Sequence, residues 1–262
     1  MNDTQQTHLN AFWLITFTII FLAFELQSFQ IAYLLLFITM LVIPFLHEEL
    51  RVFSWAMIAF FVGKVIYLYS HRMVASISLD NEEALIISRI LILIPILAMA
   101  YVIRKFKRPI VFYWQKPEWN QSIRFPFIWS GLKPITIRQF LIIAIGINII
   151  LFLPLLREPK MVYSFSFILM FTLIHAFIEE FLWRGVILSR MVELVGGKKA
   201  LVFSSVAFGL SHLSLGYSLA ACLAFAFTGI FFAGITLRSK SLLPAIIWHG
   251  VLNILMLSSG FI

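Results

Sequence analysis

The sequence has little charge. Asp, Glu, Lys and Arg make up 12% of its 262 residues, and 61% are apolar. Soluble domains carry about 25% charged and about 45–50% apolar residues. So few polar groups cannot cover a water-soluble globule. There is one cysteine, Cys222, which excludes an intramolecular disulfide and a cysteine-based zinc site. No His-Glu-x-x-His pair is present, which excludes the zincin helix. No Lys or Arg precedes the first apolar run, Ala11–Phe24, and no small-residue cleavage site follows it before the next run. That run is therefore expected to be a retained span rather than a signal peptide. Internal repeats and low-complexity tracts are lacking too. The net charge of +8 would suggest nucleic acid in a soluble protein. In a membrane protein its location matters more than its total, and no nucleic-acid partner is expected.

What the chain has is apolar length. Stretches of about 18 residues are long enough to cross a bilayer core, and charged and turn residues divide the chain into nine candidate spans. They are 11–24, 31–46, 52–69, 84–103, 139–156, 161–191, 200–213, 216–237 and 242–257. The expected fold class is an all-α, polytopic transmembrane helical bundle of about eight or nine spans. With the N-terminus inside, 14 Lys and Arg residues fall in inside loops and 3 (Arg72, Arg157, Lys160) outside. The positive-inside rule therefore predicts a cytoplasmic N-terminus. Residues 1–103 form an N-terminal membrane part, 104–138 a loop, and 139–262 the part with chemical motifs. The loop is basic and aromatic, and Pro109, Pro117, Pro126 and Pro134 argue against one continuous helix. Its mix of basic residues with Trp and Tyr suits an anionic headgroup region.

Ionisable groups inside apolar helices are costly and need a reason. Three groups fall in the C-terminal half. Glu179 and Glu180 precede Arg184; spacing i,i+4 lets Glu180 and Arg184 share a helix face. Phe208-Gly-Leu-Ser-His212 is the second, and His249-Gly-Val-Leu-Asn253 the third, again with i,i+4 spacing. Each histidine alone reads as a hydrogen-bonded core residue. Three helices that each bring polar groups favour a functional site. His175 lies one turn before Glu179 and reads as a packing residue or a support for the site. Lys64 and Arg89 are assigned no role, and Glu25 is expected at an interface.

The ordered set Glu-Glu-x-x-x-Arg, Phe-x-x-x-His and His-x-x-x-Asn resembles the CPBP family, which includes type II CAAX prenyl endopeptidases and Abi-type bacterial proteins. Arg184-Gly185, His212-Leu213 and Ser241-Leu-Leu-Pro244-Ala245 add matching context. The resemblance covers roughly 139–260. Phe177 and Trp183 depart from the proline and phenylalanine common at those places.

The resemblance implies peptide-bond hydrolysis inside the membrane. Glu179 would activate water, His212 would orient it, and Glu180 with Arg184 would hold and tune Glu179. His249 and Asn253 would donate to the oxyanion. Fixed donors of this kind lower a barrier by about 3–4 kcal/mol each. No cofactor is expected; a zinc ion on Glu179, His212 and His249 is the alternative. The rival functions are an Abi-type bacteriocin-immunity or scaffolding protein, and a transporter using Glu179 as a proton site. Expected partners are a peptide or membrane-protein substrate and the bilayer, and the compact chain suggests a bacterial cytoplasmic membrane.

Overall fold

A computed structural model of the protein describes residues 3–77, 79–156 and 163–260. Arg157, Lys160 and Met161, used above for orientation and for the sixth span, lie outside the described residues. The fold is an all-α membrane bundle with one small hairpin. A helix suits these apolar runs because every backbone N–H and C=O is satisfied within its own segment. Among the described residues six helical stretches are long and apolar enough to cross a membrane: His8–Glu25, Glu48–Val74, Asn81–Lys105, Ile137–Leu156, Phe165–Val195 and Leu219–Ser239. Phe29–Phe45 and Leu243–Ser258 are shorter apolar helices.

The helices in chain order are α1 (Asp3–Glu25), α2 (Phe29–Val42), α3 (Glu48–Ala75), α4 (Asn81–Ile90), α5 (Leu93–Lys105), α6 (Ile137–Leu156), α7 (Phe165–Glu180), α8 (Leu188–Val195), α9 (Gly197–Leu210), α10 (Leu219–Ser239) and α11 (Leu243–Ser258). The fourth expected span is interrupted between α4 and α5. Pro95 lies in the first turn of α5, where its missing N–H is harmless but its ring clashes with a helical residue four before it. The sixth span also changes character. Between α7 and α8, residues Phe181–Ile187 form a π-helical turn.

The chain forms two compact units. The first comprises Met1–Gly63, Pro95–Phe112 and Trp183–Ala233; the second comprises Lys64–Ile94, Tyr113–Leu182 and Gly234–Ile262.

The first unit has an aromatic core. Phe17 and Phe21 of α1 meet Phe61 of α3, with ring centroids 5.8 and 6.4 Å away, and Phe21 also meets Trp183 edge-on at 5.8 Å. Such rings bury large areas and gain from edge-to-face geometry. Helices α9 and α10 approach closely at Gly209. A Cβ there would collide with the carbonyl oxygen of Cys222 and with Ala226. Membrane helices pack through small residues in this way, because lipid gives them no hydrophobic drive to associate.

In the second unit, α7 packs against α11 and α4, and α6 packs against α11. Ser164 caps α7 by accepting from Phe167 N at 3.2 Å, which satisfies one of the helix's orphan donors. Glu82 of α4 accepts from both the backbone N and the hydroxyl of Ser164, at 2.9 and 3.1 Å. The expected non-helical loop holds an antiparallel hairpin, β1 (Ser122–Pro126) paired with β2 (Gly131–Thr136). Residues before it are stitched to the entry of α11. Glu118 N donates to Ser239 O at 2.9 Å, Leu242 N to Tyr113 O at 3.0 Å, and Ser241 Oγ to Gln115 O at 2.6 Å. This fixes where α11 begins, and so how far along it His249 and Asn253 fall.

Candidate active site

The polar residues of the second unit converge. Glu179 and Glu180 end α7, fourteen positions after Phe165, or about 21 Å along the helix axis. His249 and Asn253 sit on α11. All four side chains are buried, with Glu180 fully sealed at 0% exposure. An isolated carboxylate in such surroundings would be severely penalised, so its partners are informative.

His249 Nδ1 donates to Glu180 Oε1 at 2.8 Å. This bond fixes the imidazole orientation and turns Nε2 towards Glu179, whose Oε2 lies 3.9 Å away. His175 Nε2 approaches the same Oε2 at 3.7 Å. The His175 and His249 rings are edge-to-face, 5.6 Å between centroids. Glu179 Oε2 is buried and makes no hydrogen bond among the described residues. Buried polar atoms are nearly always satisfied, so each exception needs an explanation. Asn253 Nδ2 is a second case, a buried donor with no acceptor among the described residues.

These positions follow from helix periodicity. His175 and Glu179 are i,i+4 on α7, as His249 and Asn253 are on α11, so each pair shares a face. Trp248, beside His249, packs edge-on against Phe140 of α6 at 5.8 Å and holds α11 from its other side. Nitrogen and oxygen ligand atoms of His175, Glu179 and His249 all lie within 4.8 Å of one another, close enough to hold a metal ion.

The other two expected residues belong to the first unit. Arg184 is 1% exposed, stacks its guanidinium over Phe208 at 4.1 Å and Phe232 at 5.2 Å, and reaches Gly229 O at 3.5 Å. A buried cation over aromatic faces gains from the ring quadrupole. His212 donates from Nδ1 to Phe208 O at 2.9 Å and stacks on Phe225 with centroids 4.2 Å apart. With Nδ1 so engaged, neutral His212 presents Nε2 as an acceptor.

His175, expected as a packing residue or a support for the site, lies against Glu179 and His249. Its spacing from Glu179 was visible, but what makes it part of this cluster is His249, 74 positions away along the chain. Glu25, expected at an interface, is 3% exposed.

Residues 161–255 match the family model described as Type II CAAX prenyl endopeptidase Rce1-like. The match spans all six expected site residues. Neither a curated protein nor a solved structure matches the chain.

Proposed function

From the Rce1-like domain at residues 161–255, carried by an integral membrane protein, we propose that this CAAX-type intramembrane protease hydrolyses peptide bonds with water activated by Glu179. The observation that carries the reading is the buried Glu179 Oε2, without a hydrogen bond among the described residues and facing two imidazoles at 3.7 and 3.9 Å. A carboxylate in that position is an acceptor waiting for a proton, as a general base must be.

The remaining roles follow from the chemistry of each group. Glu180 holds His249 through the 2.8 Å bond. With Nδ1–H already donated, His249 offers a second N–H only as the imidazolium, whose charge the Glu180 carboxylate stabilises. That N–H and the Asn253 amide supply the two oxyanion donors. Donors fixed in advance where negative charge develops need no reorganisation during the reaction. His212 is assigned the orienting of the water, and Arg184 the electrostatic tuning of the glutamates. These two assignments rest on the order of the motifs and on the family resemblance. The substrate is a membrane-anchored or lipidated peptide, and the membrane a bacterial cytoplasmic one with the N-terminus inside. No resident metal takes part in this mechanism.

Glu179→Gln tests the reading, since it keeps size and removes basicity. Loss of a general base costs about 10²–10⁴-fold in rate. The purified protein in lipid nanodiscs, given farnesylated and unmodified membrane peptides, should lose cleavage by that factor while its thermal unfolding is unchanged. Comparative proteomics of membranes from wild-type and Glu179→Gln strains then identifies the substrate. A well-folded Glu179→Gln protein that cleaves as fast as wild type would refute Glu179 as the base, and absence of cleavage by the well-folded wild type would favour an immunity or scaffolding role.

A further inference from the structure

His175 has no task in the hydrolytic mechanism, yet its Nε2 faces the Glu179 carboxylate. Around one point within the second unit lie three ligand atoms: His175 Nε2, Glu179 Oε2 and His249 Nε2. The two histidine-to-carboxylate separations are 3.7 and 3.9 Å, and the set lies within 4.8 Å. In a tetrahedral zinc site, bonds of about 2.0–2.2 Å place neighbouring ligand atoms roughly 3.3–3.5 Å apart. Reaching that spacing takes a closure of about half an ångström for the 3.7 and 3.9 Å pairs, and up to about 1.4 Å for a pair at the 4.8 Å limit.

The chemistry of the set is selective. Two imidazole nitrogens and one carboxylate oxygen suit zinc, cobalt or nickel, whereas magnesium and calcium require mostly oxygen ligands. Three protein ligands leave the fourth position open to water. Glu180 contributes as well. Metal-bound histidines characteristically donate their other ring N–H to a carboxylate, which fixes the tautomer and strengthens the ligand. His249 already does so through Nδ1. Ligation takes the neutral ring, in which Nδ1 keeps its proton and Nε2, on the side of Glu179 Oε2, is the ligand atom.

We propose that His175, Glu179 and His249 form a binding site for a zinc-like divalent cation, and that its occupancy switches the enzyme off. The bound cation takes the Glu179 carboxylate as a ligand, so that it can no longer accept a proton from water. It also occupies the His249 nitrogen that would otherwise donate to the oxyanion. The switching claim rests on Glu179 being the base; the binding claim does not.

Cobalt binding to the full chain in detergent separates the two claims, because its visible absorption reports coordination without any cleavage. Wild type should bind one Co²⁺ with a tetrahedral spectrum, and Zn²⁺ should displace it. His175→Gln should weaken binding at least ten-fold, and His212→Gln should leave it unchanged. His175→Cys keeps a ligand and should add a thiolate-to-cobalt charge-transfer band absent from wild type, which serves if His175→Gln folds poorly. In the cleavage assay, zinc should inhibit wild type, and His175→Gln should need at least ten-fold more zinc for the same inhibition. The site is overturned by unsaturable cobalt binding, by His175 variants indistinguishable from wild type, or by loss of binding in His212→Gln. Saturable binding at the three residues with no effect of zinc on cleavage would overturn the switch alone. Failure of Glu179→Gln to lose activity would strike the role of Glu179 as the base and leave the cobalt result standing.

Discussion

Replacing Glu180 with glutamine probes whether this carboxylate acts through His249. Glu180 Oε1 accepts from His249 Nδ1 at 2.8 Å in a fully buried position. Glutamine keeps an acceptor oxygen but loses the charge. A hydrogen bond to a charged group is worth about 1.5–3 kcal/mol and a neutral one about 0.5–1.5 kcal/mol. The exchange therefore forfeits about 1–1.5 kcal/mol, or roughly ten-fold in rate. Removing an oxyanion donor outright, as in His249→Gln, costs about 10²–10³-fold in kcat. If the two residues acted independently, the double variant would lose roughly 10³–10⁴-fold. If Glu180 works only by supporting His249, the double variant should match His249→Gln within about three-fold, since the support has nothing left to hold. The assay is kcat of each purified protein in nanodiscs, with KM followed to separate binding from chemistry and thermal unfolding followed to confirm folding. Losses that multiply would refute the coupling and require Glu180 to act on the reaction directly.

Two further variants test the architecture. Gly209→Val should destabilise the first unit by about 1–3 kcal/mol, the usual cost of overpacking, because α9 and α10 must separate to admit the side chain; thermal unfolding in detergent measures it, and an unshifted midpoint would contradict the close crossing. Tyr113, in the segment before the hairpin, has its pKa raised by burial from 10.0 to about 12. The unfolded chain ionises first, so Tyr113 should leave stability untouched below about pH 10 and lower it progressively from there to about pH 12. Alkaline unfolding of Tyr113→Phe should lack that part of the pH slope, and an identical slope would refute the burial effect.

The helical nature of the bundle was legible because an apolar run long enough to cross a bilayer has few alternatives to a helix. The ninth expected stretch, 242–257, coincides with α11 at Leu243–Ser258, whereas α1 begins eight residues before the first expected stretch and α3 runs six residues past the third. Features that depend on the third dimension were not legible. Pro95 was visible in the sequence, but not that the helical winding would be interrupted at residues 91–92 between α4 and α5. The π-helical turn at Phe181–Ile187 leaves no mark on hydropathy, since apolar residues suit either winding. The hairpin lacked the strict alternation of a half-buried strand, and its second strand includes Pro134. The glutamates, His249 and Asn253 stood out because polar groups in apolar helices are rare. His175 stood out equally, and only the packing of α7 on α11 gives it neighbours.

The Glu180–His249 bond also bears on how the chain is made. His249 is synthesised 69 residues after Glu180. At about 5–20 residues per second, α7 exists for roughly 3–14 s before the helix that completes its hydrogen bonding. During that interval the nascent segment carries two carboxylates into the bilayer without α11 beside them. Its residence there depends on the apolar remainder of the Phe165–Val195 stretch. The arrangement that makes the mature site selective therefore makes the half-built protein a demanding client for the insertion machinery, and the apolar strength of α7 serves biogenesis before it serves packing.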